Sequence, residues 1–116
     1  MSKRDIIQLS EFDITQKIIE SLSNVCTRSV LFSVKNESKD ATQIANELKI
    51  SLSTVYKTLS TLEDLALAEI DRYVISSEGK KIKLYRSRIG KVEITLDDLE
   101  PTLILHPNDY NHETSN

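Results

Sequence analysis

The spacing of apolar residues divides the chain into a helical part and a stranded part. Up to residue 65 the apolar positions recur at three- and four-residue intervals, which is typical of helices with one buried face. After residue 68 they alternate with polar positions or form short runs of β-branched and aromatic residues, which is typical of strands. The sequence therefore predicts an α+β fold in which the helices come first.

Two short helices in the middle of the chain are joined by a tight turn. Asp40 is placed to cap the first helix, over residues 40–48, and Ser51 is placed to cap the second, over residues 51–65. Gln43, three residues after Asp40, completes the pattern of a capping box. Because helices joined so closely must cross steeply, the pair is predicted to be a helix-turn-helix.

Two more helices are predicted ahead of this pair. One follows Asp13 and has Ile14 and Ile18 on its apolar face, and the other begins at Asn24 and covers residues 24–35. The later helix is expected to pack across the helix-turn-helix as the third member of a bundle. The earlier helix is interpreted as either additional core or part of a dimer interface.

A hairpin is predicted after the helices. Residues 69–86 contain two strand-like runs, and residues 76–80 between them predict a tip at which Gly79 can take a positive φ. The hairpin and its exit carry a group of cations: Arg72, Lys80, Lys81, Lys83, Arg86 and Arg88. A cationic ribbon next to a helix-turn-helix is suited to holding the backbone of a nucleic acid.

The second helix of the pair has a polar face rich in hydroxyl groups. The candidate DNA-binding residues on it are Ser51, Leu52, Ser53, Thr54, Tyr56, Lys57 and Ser60. Hydroxyl and amine groups contact phosphates and base edges, and Leu52 can touch a thymine methyl group. An ordinary solvated face is the alternative, and the helix alone does not decide between the two. The basic hairpin beside it favours DNA binding.

Four segments match a known pattern: LSNVCTRSVL at 22–31, TQIA at 42–45, ISLSTVYKTL at 50–59 and LEDLALA at 62–68. Together they resemble the winged helix-turn-helix transcription regulators of the ArsR-like superfamily, over residues 21–86. The resemblance implies a winged helix fold and a DNA-binding regulator. The recognition helix would lie in the major groove, and the wing residues Arg72, Lys80, Lys81 and Lys83 would contact phosphates.

The sequence departs from this family at two points that matter. Lys49 occupies the turn position at which the family usually has glycine. No cysteine lies in or beside the recognition helix, where metal-sensing members place theirs, so a metal-sensing role is not implied.

A second hairpin is predicted near the C-terminus. Val92 and Ile94 alternate with polar residues, and residues 103–105 form another apolar run. Most ArsR-like proteins end in a helix, so small archaeal-type members with a stranded tail are the nearer resemblance. A lone hairpin must cover the wing sheet or pair with a second subunit, and we expect a homodimer. The interface candidates are Ile14, Ile18, Val92, Ile94, Leu103 and Leu105.

These elements predict four parts of the chain. They are an N-terminal arm over residues 1–12, a winged helix DNA-binding domain over 13–88, a β-hairpin and possible dimerisation element over 89–107, and a disordered tail over 108–116. At 116 residues the chain suits one domain with one small core.

The distribution of charge changes the meaning of the net charge of −3. Residues 70–91 hold seven basic and two acidic side chains, whereas residues 92–116 hold six acidic side chains and no Lys or Arg. Since charges act mainly within a Debye length of about 8–10 Å, the local patch matters more than the total. The acidic C-terminal hairpin is expected to lie away from a duplex.

The residues give no sign of catalysis, of a cofactor or of a metal. Cys26, the single cysteine, is interpreted as a small half-buried side chain in preference to a redox sensor. His106 and His112, with Asp109, are interpreted as solvated residues in preference to a weak metal site. An enzyme is not expected. No stretch approaches the ~20 apolar residues of a membrane span and the start lacks a secretory signal, so a cytoplasmic protein without a membrane partner is expected.

Two functions from different classes fit these observations. The first is a sequence-specific regulator of double-stranded DNA, in which loss of wing lysines weakens binding to all sequences and loss of Tyr56 alters site preference. The second is a protein-interaction module of the transcription machinery, which docks a protein partner through the C-terminal strands without reading DNA. Net acidity favours the second slightly, and salt-dependent binding to random duplex distinguishes the two.

Overall fold

A computed structural model describes the backbone of residues 3–109 and the side chains of residues 13–109. Within this part the chain forms four helices and then four strands. The helices are α1 (Lys3–Ser23), α2 (Val25–Ser33), α3 (Ala41–Leu48) and α4 (Leu52–Asp64), and the strands are β1 (Ala68–Ile75), β2 (Lys81–Ser87), β3 (Ile89–Thr95) and β4 (Thr102–Pro107). The predicted α+β fold, with a winged helix-turn-helix and a C-terminal hairpin, is confirmed.

Side-chain caps mark where three of the helices begin. The side chains of Asn24, Asp40 and Ser51 each accept a hydrogen bond from the backbone N–H three residues later. At Asp40 the capping box is complete, because the Gln43 side chain also accepts from the Asp40 N–H at 2.9 Å. The predicted caps at Asp40 and Ser51 and the predicted helix start at Asn24 are confirmed.

The first helix begins earlier than the pattern indicated. It starts at Lys3 and not after Asp13, because no glycine or proline interrupts the sequence between these residues. Asp13 lies inside the helix, with its carboxylate 3.3 Å from the Lys17 ammonium. The predicted boundary between arm and domain, at residue 12, thus falls within α1, while residues 1–2 lie outside the described part.

A single apolar core joins the helical bundle to the base of the wing. Val30, Val34, Ile44, Val55 and Leu62 have no measurable exposure. The core also holds Ile18, Leu22, Leu31, Ala41, Ala45, Leu59, Leu67, Ala68, Tyr85 and Ile89. This shared core fixes α3 and α4 relative to the first residues of the wing.

The wing is the antiparallel pair of β1 and β2. Gly79 in its tip has φ 82°, as predicted. Between Ile70 and Arg72 the register shifts by a bulge at Asp71. At its base Tyr85 exchanges two backbone hydrogen bonds, of 2.8 and 3.1 Å, with Lys39 in the loop before α3. The wing is therefore tied directly to the helix-turn-helix.

The predicted C-terminal hairpin is the antiparallel pair of β3 and β4. Val92, Leu103 and Leu105 on one of its faces are half-buried against the core. Toward the tip the apolar side chains are exposed, with Leu96 74% and Leu99 92% accessible. The hairpin thus packs on the bundle at its base and projects beyond it at its tip.

Asn108 follows the second hairpin and holds it against the bundle. Its side-chain amide donates to the carbonyls of Lys35 at 2.8 Å and Ser87 at 2.9 Å, and its backbone N–H donates to Arg88 at 2.8 Å. The predicted disordered tail began at this residue, which the structure fixes in place. Residues 110–116 of that predicted tail lie outside the described part.

None of the helices in the described part of the chain is long and apolar enough to cross a bilayer.

Candidate nucleic-acid interface

The outward face of α4 carries the predicted recognition residues. Val55, Leu59 and Leu62 are buried, which fixes the opposite face of the helix toward solvent. All seven candidates are exposed: Ser51, Leu52, Ser53, Thr54, Tyr56, Lys57 and Ser60. A serine and threonine face sealed inside the core would have excluded contact with a duplex, and the structure has the opposite arrangement.

Two hydroxyl groups on this helix already have local roles. The Ser51 hydroxyl accepts from the Thr54 N–H at 3.2 Å and donates to the Thr54 hydroxyl at 2.8 Å. It also lies 3.2 Å from the Ser53 hydroxyl. Ser51 and Thr54 therefore serve the helix cap, whereas Lys57 and Ser60 project from the middle of the exposed face.

Helix α4 and the wing meet at a cleft of about 500 Å³. Tyr56 contributes to it from α4, and Lys80, Lys81 and Lys83 contribute from the wing. The other residues that line it are Asp40, Ala41, Thr42, Ile82 and Tyr85. The structure thus brings three of the four predicted wing residues to the same side as α4.

Arg72 is the wing residue that the structure does not bring to this cleft. Cross-strand partners share a face of a sheet, and Arg72 pairs with Leu84, whereas Lys81 and Lys83 pair with Ile75 and Tyr73. Arg72 consequently lies on the other face of the wing. Its guanidinium is 2.7 Å from the carboxylate of Asp71.

The face of the wing that carries Lys81 and Lys83, which we call the lysine face, also carries aromatic rings. The Lys81 ammonium lies 4.3 Å from the centre of the Tyr73 ring, a cation–π contact that orders an exposed side chain. Tyr85 is buried on this face, and burial raises the pKa of its phenol, with smaller contributions from Glu63, Tyr56 and Tyr73. The phenol is therefore neutral at physiological pH.

Arg86 and Arg88 belong to the base of the wing. The Arg86 Nε donates to the Ser38 hydroxyl at 3.1 Å, and that hydroxyl donates to Asp71 at 2.6 Å. Arg88 lies 3.8 Å from the Glu69 carboxylate. These two cations therefore brace the wing, and the basic surface at the cleft is formed by the lysines.

Sequence reasoning did not connect Asp40, Thr42 or Tyr85 with the site. Asp40 was interpreted only as a helix cap, and Thr42 follows it in the first turn of α3. Their place in the cleft depends on the bridge between Lys39 and Tyr85, which joins residues 46 positions apart in the chain. A local pattern carries no signal of such a contact.

The dimer-interface candidates fall into two groups. Ile14 is 55% exposed and Ile94 is 42% exposed, so both face solvent in the single chain. Ile18 is buried in the chain's own core, and Val92, Leu103 and Leu105 are half-buried against it. Within one chain only the first group is fully available to a second subunit.

The remaining candidate chemistry is scattered. Cys26 is half-buried in the first turn of α2. Among the residues that the structure describes, no group of three or more His, Cys, Asp or Glu side chains is arranged to hold a metal ion. His106 lies on β4 with its Nε2 2.5 Å from the Glu93 carboxylate, and His112 lies outside the described part.

A helix-turn-helix followed by a β-wing defines a winged helix protein. No family model matches the chain. It is 35% identical over 66 residues to an uncharacterized HTH-type transcriptional regulator of Methanocaldococcus jannaschii, in an alignment that covers 57% of this chain and 70% of that protein. The chain belongs to the HTH-type transcriptional regulators.

Proposed function

We propose that this chain is a sequence-specific DNA-binding transcriptional regulator of the ArsR-like winged helix type, acting in the cytoplasm. Helix α4 enters the major groove, and the wing lysines hold the phosphate backbone. The observation that carries the proposal is the cleft, where Tyr56 of α4 and Lys80, Lys81 and Lys83 of the wing lie on one side of the molecule. A duplex placed against α4 therefore meets both surfaces at once.

The proposed base readers are the residues in the middle of the exposed face of α4. Ser53, Lys57 and Ser60 are exposed and lie opposite the buried Val55. An ammonium group recognises guanine through O6 and N7, and hydroxyl groups pair with either donors or acceptors on base edges. Leu52, 42% exposed at the start of the helix, is suited to a thymine methyl group.

A twofold dimer is the proposed functional form. Exposed apolar side chains at the tip of the C-terminal hairpin, including Ile94 and Leu96, would be covered by a second copy. Two recognition helices would then lie roughly 34 Å apart, one turn of DNA, and the site would be close to palindromic. The acidic residues of this hairpin would lie away from the duplex.

The test begins with selection of bound duplexes from a random pool. The affinity of the chain for a selected duplex and for random duplex is then titrated over a salt series. The double variant Lys80→Ala, Lys81→Ala is expected to weaken binding to both duplexes and to reduce the salt slope by about two for each bound subunit. Lys57→Ala is expected to change which sequences are preferred, because a base contact specifies and a phosphate contact positions.

A matched control removes two lysines that do not line the cleft. Lys17→Ala with Lys91→Ala takes the same charge from α1 and β3, and the salt slope is expected to stay unchanged. Absence of binding to any duplex at ~50 mM salt would contradict the proposal. It would favour a protein-interaction module, for which the exposed tip of the C-terminal hairpin is the specific observation.

A further inference from the structure

Tyr56 lies on a flank of α4, apart from the middle of its exposed face. An α-helix turns by about 100° per residue, so Tyr56 lies about 100° from the buried Val55, whereas Lys57 lies about 200° from it. The flank that carries Tyr56 faces the start of α3 and the wing, since Tyr56 lines the cleft between them. Lys57 projects outside that cleft.

The walls of the cleft have the chemistry of an anion site. Thr42 lines it from the start of α3, and Lys80, Lys81 and Lys83 line it from β2 and the turn before it. Tyr56, which is 52% exposed, lines it from α4. Hydroxyl donors combined with lysines are the groups that proteins use for the phosphate oxygens of DNA.

We propose that this cleft binds one phosphodiester of the DNA backbone, and that Tyr56 is a positioning residue for that phosphate and not a reader of bases. The inference rests on the proposed function. The Tyr56 and Thr42 hydroxyl groups donate to the phosphate oxygens, and the three lysines neutralise the charge. The contact fixes the register of α4 in the groove, which leaves Ser53, Lys57 and Ser60 to read the sequence.

Asp40 is the one carboxylate among the described residues that line the cleft, and it provides a second test. Its side chain accepts from the Gln43 N–H at 2.8 Å, so its position is set by the helix cap. Asparagine caps a helix about as well as aspartate but carries no charge. Asp40→Asn is therefore expected to leave the fold intact and to raise affinity several-fold on every sequence, because a negative charge beside the phosphate is removed.

The experiment is a scan of a selected duplex in which single phosphates are replaced, one at a time, by neutral methylphosphonates. The wild type and the variant Tyr56→Phe are titrated on each duplex. Tyr56→Phe is expected to weaken binding to selected and random duplexes alike, by about tenfold, since a hydrogen bond to a charged group is lost. At one phosphate position in each half-site the methylphosphonate should weaken the wild type more than it weakens Tyr56→Phe, because the variant has already lost one of the contacts to that phosphate but keeps the lysine contacts.

Lys57→Ala is the matched control, because it alters the adjacent residue outside the cleft and should keep the full penalty at that phosphate. Two results would overturn the inference while leaving the proposed function in place: a changed base preference in Tyr56→Phe, or equal penalties for wild type and Tyr56→Phe at every phosphate. Failure of the wild type to bind any duplex at ~50 mM salt would overturn both.

Discussion

Lys49, in the turn of the helix-turn-helix, has a strained backbone conformation. Its φ of 58° and ψ of 46° lie in the left-handed region, which costs a residue with a Cβ about 1–2 kcal/mol. The ArsR-like proteins that the sequence resembles usually have glycine at this position. The turn keeps the conformation that glycine favours even though a lysine occupies it.

Replacing Lys49 with glycine is expected to raise the free energy of unfolding by about 0.5–1 kcal/mol. Glycine relieves the strain at positive φ, and part of that gain is offset by the greater freedom of glycine in the unfolded chain. Urea denaturation followed by circular dichroism measures the change. Lys49→Ala keeps the Cβ and the strain, so it should give no gain; equal stabilisation by both variants would contradict the argument.

The backbone conformation of Ala66 could not be predicted from the residues around it. It ends α4 at φ 60° with no glycine to mark the position. The chain is held there because the Leu67 N–H returns to the Leu62 carbonyl at 2.8 Å, and both leucine side chains are buried. The helix caps were predictable because donor and acceptor lie three residues apart. The end of α4 depends on the burial of Leu62 and Leu67 in the core, and a local sequence pattern does not show which side chains are buried.

The two faces of the wing could have been predicted from its turn. With residues 76–80 as the tip, Ile75 pairs with Lys81. Because alternate residues of a strand share a face, Tyr73 and Ile75 lie on the lysine face and Arg72 lies on the other face. The bulge at Asp71 had no such signal, because the contact of this carboxylate with Ser38 spans 33 positions of sequence. Helix α4 was predicted from local residues, whereas the cleft depends on tertiary structure.

The C-terminal hairpin contains a pair of side chains that makes its stability depend on pH. A hydrogen bond from His106, supported by Lys91, holds the pKa of Glu93 below its ordinary value of 4.5. A lowered pKa in the folded state means that the stabilisation is present above about pH 4.5 and is lost as the pH falls through the folded-state value.

Glu93→Gln is expected to lower the Tm modestly at neutral pH and to have a smaller effect at pH 3. Thermal unfolding of the wild type and this variant between pH 3 and pH 7 gives the difference in Tm at each pH. Groups common to both proteins titrate alike, so their effects cancel in this difference. The pair is exposed to solvent, so the difference should be small. A difference that grows as the pH falls would show that the sign of this argument is wrong.

Charge is separated along the whole molecule. The lysines that line the cleft lie on the wing, whereas the second hairpin and its loop carry Glu93, Asp97, Asp98 and Glu100. None of these four carboxylates is among the described residues that line the cleft. Salt screens exposed charges beyond a Debye length of about 8 Å, so a net negative charge and DNA binding are compatible.

Dimerisation through the second hairpin predicts that Ile94→Lys shifts the protein toward monomers. Ile94 is exposed and lies on the apolar face of the hairpin, opposite Leu103. A lysine there would place two charges across a twofold interface. Sedimentation velocity measures the change, and DNA affinity should fall because two linked half-sites are lost.

Thr95→Lys is the control for this prediction. It adds the same charge at the next residue, on the opposite face of β3, where Thr95 pairs with Thr102. The dimer should persist in this variant. A wild type that sediments as a monomer at micromolar concentration, or two variants that dissociate equally, would contradict the proposed interface.

The position of Asn108 has a mechanical consequence. Apolar packing between the second hairpin and the bundle has no preferred direction, whereas the hydrogen bonds of one amide group do. The Asn108 amide links the carbonyl of Lys35, just past α2, to that of Ser87 at the end of β2. These two hydrogen bonds therefore fix the orientation of the second hairpin relative to the bundle. A torque applied at the far tip is transmitted to the chain segments that leave α2 and enter β3.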